Sequence, residues 1–85
     1  MLGTGNTKFV RPVTIRLRRN SQDQVVVDAS QAGRMLMRDW PGTHTARRQV
    51  AMDACLRVLR GEASPPIARG AFVAAALEAH ILASD

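Results

Sequence analysis

The chain has 85 residues, with twelve Lys and Arg against seven Asp and Glu, giving a formal net charge of +5. A chain this short buries roughly 60–65% of its unfolded surface, which makes one small domain with a thin core, and such cores are often completed by a metal, disulfides or a partner. A single cysteine, Cys55, excludes an intramolecular disulfide, and the most apolar window, 67–83, holds Arg69, Glu78 and His80 and is too short and polar to span a bilayer.

Met1 to Asn6 carries no apolar run of the signal-peptide kind. With the lone cysteine this points to a cytoplasmic protein. Eleven of the twelve basic residues are Arg, which hardly titrates, so the sequence pI near 11.4 overstates a moderate charge excess. That excess suits nucleic acid or another anion as partner, but an Arg- and Ala-rich composition is also what a GC-rich genome produces.

In chain order, residues 1–8 read as a flexible tail and 9–85 as the folded domain. Val13, Ile15 and Leu17 alternate with Thr14, Arg16 and Arg18, the period of a half-buried strand, and Pro12 fits its first position. Arg19 to Asp23 is turn-like around Asn20 and Ser21, and Gln24 to Asp28 reads as a second strand. Pairing Leu17 with Val25 and Ile15 with Val27 buries one face of both strands. This places Thr14, Arg16, Arg18, Gln24, Val26 and Asp28 outside. Two strands alone are marginal in water, so the hairpin must lie on helices, and its edges are free to meet a second copy.

Ser30 is the expected N-cap of a first helix carrying Ala32, Met35, Leu36 and Trp40, with Arg34 and Arg38 four apart on its wet side. Gly33 within it implies close approach by another element, since glycine costs about 1 kcal/mol there relative to Ala. Trp40-Pro41-Gly42 stops the helix and anchors it, with Trp40 expected in the core between hairpin and helices. A second helix from Thr43 or Thr45 to Leu59 or Arg60, stopped by Gly61, presents Val50, Ala54, Cys55, Val58 and Leu59 inward. A third starts at Ser64 with Pro65 in its first position and runs through Phe72, Ala76, Leu77 and Ile81. Its apolar circumference suits a central helix or a subunit interface. The fold class is α+β, a single small domain with an antiparallel β-hairpin packed on three helices, in the order ββααα.

Phe9, Pro12-Val13, Ala32, Leu36, Trp40-Pro41, Ala51, Cys55, Gly61, Ala68-Arg69, Phe72, Ala75-Ala76 and Glu78-Ala79, in this order and spacing, resemble a family of small alphaproteobacterial proteins, common in rhizobia, catalogued as domain of unknown function 982. The resemblance covers most of the chain from Phe9 onward. It implies a compact single domain in the bacterial cytosol, and brings no activity, cofactor or catalytic residue with it.

Candidate chemistry is sparse. Cys55, mid-helix on an apolar face, reads as a small buried hydrophobe rather than a nucleophile paired with His44 or His80. Two histidines, one cysteine and scattered carboxylates share no metal-ligand spacing, and Asp53 and Glu78 fall on different helices without a second acid. No Gly-rich phosphate loop is present. No cofactor is implied.

Two basic clusters stand out. Arg47 and Arg48 occupy the first turn of the second helix, where the dipole is already positive. With Thr43, His44 and Thr45 they could cradle an anion or phosphate, although an exposed arginine there is common and costs little. Arg11, Arg16, Arg18 and Arg19 lie on the hairpin, as a basic ribbon for nucleic acid or an acidic partner, or as charges that guard a strand edge. Asp23 and Asp28 dilute the cluster, and the absence of Tyr removes a base-stacking platform. The leading expectation is a non-enzymatic protein-interaction or regulatory module, binding a protein partner or itself as a homodimer. Nucleic-acid binding through the hairpin arginines is the alternative, and small-anion binding at the second helix a further one.

Overall fold

The computed structural model describes residues 6–17 and 22–85. Among these described residues six elements follow one another: β1 (Lys8–Arg16), β2 (Asp23–Asp28), α1 (Ala29–Arg38), α2 (Ala46–Leu59), α3 (Pro65–Glu78) and β3 (Leu82–Ser84). The antiparallel sheet has the order β2-β1-β3. The α+β class and the hairpin on three helices are as expected, and the chain adds a third, short strand at its end.

The hairpin pairs in a different register from the expected one. Val13 faces Val26, Thr14 faces Val25 and Ile15 faces Gln24, a slip of three residues. Because side chains alternate, an odd slip exchanges the two faces of β2. Val26 is therefore buried, and Val25 and Val27 are exposed. β1 also starts at Lys8 rather than near Val13, and its pairing shifts between Lys8 and Val13. Pro12 lies inside that irregular stretch, a place where a missing ladder donor is tolerated.

Helix α1 begins directly from β2. Asp28, still extended, is its N-cap in place of Ser30, and its carboxylate accepts from the Gln31 N–H at 2.8 Å. Thr45, one of the two expected starts of α2, is its N-cap, and Pro65 opens α3. Helices α2 and α3 end in the same way. The Gly61 N–H donates to Val58 O and Glu62 N–H to Arg57 O, while His80 N–H donates to Leu77 O and Ile81 N–H to Ala76 O. These are paired Schellman bonds, each with a left-handed residue just past the cap. At Gly61 φ is 77°, and at His80 it is 61°. The turn at His80 ends α3 at Glu78, short of the expected Ile81, and sends Ile81 into the core.

The core joins Val13, Ile15 and Val26 from the sheet to Leu36 of α1, Cys55 of α2 and Phe72 of α3. Alanines fill much of the rest, notably Ala51, Ala54, Ala68, Ala75 and Ala76, and let helix backbones approach closely. Trp40 sits at the rim of this core rather than at its centre. It is half-buried, with its ring 5.4 Å from that of Phe72 at a 60° tilt. Trp40 lies past the end of α1 in the connection to α2, where Pro41 and Gly42 follow it at once, and so is not held on a buried helix face. Val50 and Leu59, expected inward, are exposed.

Candidate interaction groove

Helices α1 and α2 run antiparallel. Gly33 faces Cys55, where a Cβ on the glycine would lie 3.6 Å from the cysteine Cβ. One turn further on, Arg48 Nε donates to Leu36 O at 2.8 Å. That bond ties the start of α2 to a carbonyl in the last turn of α1, which no helical N–H satisfies.

Along the outer side of this pair lies an apolar groove of about 150 Å³, lined by Ser30, Gly33, Arg34 and Met37 of α1 and Met52, Cys55, Leu56 and Leu59 of α2. On each helix these positions recur at the i, i+3, i+4, i+7 spacing of one helical stripe. The stripe lies beside the buried one, and its large side chains face solvent: Met37 is 64% exposed, Leu56 47% and Leu59 45%. Gly33 makes the floor, since any side chain there would fill the space above Cys55.

The thiol in that floor is inert at neutral pH. Cys55 is buried, and desolvation pushes its pKa up to about 11, because the low-dielectric surroundings penalise the thiolate. His44 and His80 are both exposed, and His44 Nε2 bonds Gln49 Oε1 at 2.8 Å. No cluster of three or more His, Cys, Asp or Glu that could hold a metal is found among the described residues.

At the start of α2, Thr45 has two roles. Its hydroxyl oxygen accepts from the Arg48 N–H at 3.2 Å, and the hydroxyl donates to Glu78 Oε1 at 2.6 Å. The carboxylate of Glu78 thus stands at the positive end of α2, where a negative charge is favourable. Thr43, His44 and Arg47 are exposed around it, and Arg48 is held against Leu36 O. Arg47 also lines a second shallow groove with Ala46, Val50, Ala71 and Ala74, between α2 and α3.

The hairpin arginines are divided. Arg16 Nε lies 2.6 Å from Asp23 Oδ1 across the hairpin, and the pair is exposed. The contact lowers the Asp23 pKa and raises that of Arg16, chiefly through the side-chain hydrogen bond. Arg11 has its carbonyl, not its exposed side chain, engaged: Arg69 Nε donates to Arg11 O at 2.8 Å, and Arg69 Nη2 donates to Asp85 O. Arg69 so clasps the irregular part of β1 to the end of the chain. Arg18 and Arg19 lie outside the described residues.

The groove residues were missed by sequence reasoning. Their one signal is that Met37, Leu56 and Leu59 each directly follow a buried residue, Leu36, Cys55 and Val58 in turn, leaving α1 and α2 with apolar side chains on two adjoining faces.

No described helix is long and apolar enough to cross a membrane. No curated protein and no solved structure matches the chain. A family model described as "Protein of unknown function (DUF982)" matches residues 11–83, so the chain belongs to that family, as Trp40-Pro41, Ala68-Arg69 and the residues spaced around them suggested.

Proposed function

We propose that this chain is a non-enzymatic protein-interaction module of the cytoplasm that receives another polypeptide on the outer face of its α1–α2 pair. One observation carries the reading. Met37, Leu56 and Leu59 are large, apolar and exposed along a formed groove, where a free-standing chain of net charge +5 would gain from polar residues. Contiguous exposed apolar surface rimmed by polar residues marks interaction sites. Methionines in such a surface adapt to a partner's shape.

Nucleic-acid binding through the hairpin has less behind it, because Arg16 already shares its charge with Asp23. Anion binding at α2 has less as well, because Glu78 brings a carboxylate to Thr45 and Arg48 is held by Leu36 O.

The test is a photo-crosslinking amino acid placed in turn at Met37, at Leu56 and, as a control on the exposed sheet face, at Val25, in cells that make the protein. Covalent adducts to another polypeptide are expected from Met37 and Leu56. Adducts from Val25 alone, or from none of the three, would retire the reading.

A further inference from the structure

We propose that the α1–α2 groove takes an acidic amphipathic helix of a second protein. This rests on the interaction reading above and specifies its partner. The groove lies between two antiparallel helices, and its lining positions span residues 30–37 of one and 52–59 of the other, about 10 Å at 1.5 Å per residue. That is the length over which a third helix presents an i, i+3/i+4, i+7 apolar stripe. An extended strand would find no sheet edge here to bond.

Charge decides the character of that helix. Arg34 forms part of the groove wall, Arg38 lies one turn beyond it on α1, and Arg60 follows Leu59 at the end of α2. None of the three meets a carboxylate among the described residues, where the ion pair is Arg16–Asp23. Of the carboxylates beside these segments, Asp53 accepts from the Gln49 amide at 2.9 Å and Asp28 accepts from the Gln31 N–H as the α1 cap, while Asp39 follows Arg38 and Glu62 lies two residues past Arg60. Arg34 and Arg38, four apart, repel each other mildly as the chain stands. Glu or Asp flanking an apolar stripe would relieve that repulsion and steer the approach. A second copy would bring another +5 chain and a second set of arginines to the same rim, so self-association on this face is opposed by the charge that favours an acidic helix.

The experiment uses the full chain and fluorescein-labelled synthetic helices of about 15 residues, long enough for two to three turns of contact. One carries a Leu stripe with Glu elsewhere, its twin has Lys in place of Glu, and a third has the Glu and Leu scrambled so that no stripe remains. The striped Glu helix should bind at least about tenfold more tightly than either control, with the margin shrinking as salt rises. Met37→Glu with Leu56→Glu, both at exposed positions, should abolish the preference while thermal unfolding stays cooperative. Arg34→Glu with Arg38→Glu should turn the preference towards the Lys twin. Equal binding of the twin or of the scramble, or failure of the Glu helix to bind, would overturn the proposal. So would a dimer in sedimentation velocity that Met37→Glu dissociates, since a second copy would then occupy the groove. Crosslinks from Met37 and Leu56 alongside a failed Glu helix would overturn only the acidic-helix partner. Absence of both would overturn the interaction reading too.

Discussion

The side chain of Gln31 lies along the outer edge of β2 and bonds it as a neighbouring strand would. Its Oε1 accepts from the Val27 N–H at 3.0 Å, and its Nε2 donates to Val25 O at 2.9 Å. Edge strands offer such groups to other chains unless something covers them. Here the first turn of the following helix supplies the cover, because Asp28 ends β2 and caps α1 at once.

Gln31→Ala should therefore open the edge. Two exposed hydrogen bonds of ordinary net worth amount to about 1–2 kcal/mol, to be read as a shift in urea midpoint. Sedimentation velocity should show association growing with concentration. Gln31→Glu is the sharper comparison, since a carboxylate still accepts from Val27 but cannot donate to Val25. Unchanged stability and a monomeric Gln31→Ala protein would show that the edge is protected by something else.

His80 and Gly61 occupy equivalent places after their helices, yet one carries a side chain at φ 61° and the other none at φ 77°. His80→Gly should raise stability by up to about 1 kcal/mol by relieving the left-handed conformation. Gly61→Ala should lose about as much, and for the same reason, because nothing lies within 4 Å of the added Cβ. Thermal melts of the two variants moving in the same direction would contradict this account.

The same turn shows why parts of the fold were legible and others were not. Gly61 announces the end of α2, while Ala79-His80 holds no glycine or proline, so α3 reads as continuous through Ile81 and β3 is hidden. In β2, Val25-Val26-Val27 has no alternation of its own, and only the pairing with Val13 decides that Val26 is the buried one. The arginines are visible as residues, but their partners are distant in sequence. Arg48 meets Leu36, and Arg69 meets Arg11 across 58 positions. The groove depends on α1 and α2 lying side by side, which no local pattern specifies.

Trp40 touches Phe72 from the edge of the core, so its loss should be felt less than that of a fully enclosed aromatic. Trp40→Ala should cost about 2 kcal/mol, below the 3–5 kcal/mol typical of buried aromatic truncation. Phe72→Ala, at a residue with no exposure, should reach that range. Equal losses in urea titrations would place Trp40 deeper than its position beside Phe72 indicates.

Alkaline pH should destabilise the chain through Cys55. Burial raises the thiol from an ordinary 9.0 to about 11. Below the lower value both folded and unfolded chains hold the proton, and the stabilising difference is fully present. Between the two values the unfolded chain releases the proton while the folded chain keeps it, so stability falls as pH rises through the window. At 1.36 kcal/mol per pKa unit the loss amounts to about 2–3 kcal/mol by the upper end. Few other side chains interfere, since the chain has no Tyr and its one lysine, Lys8, is exposed. Urea titrations stepped across this range should show a falling midpoint for the natural sequence. Cys55→Ala should start lower, for lost packing, and stay flat. An equal slope in both proteins would assign the alkaline loss to another group.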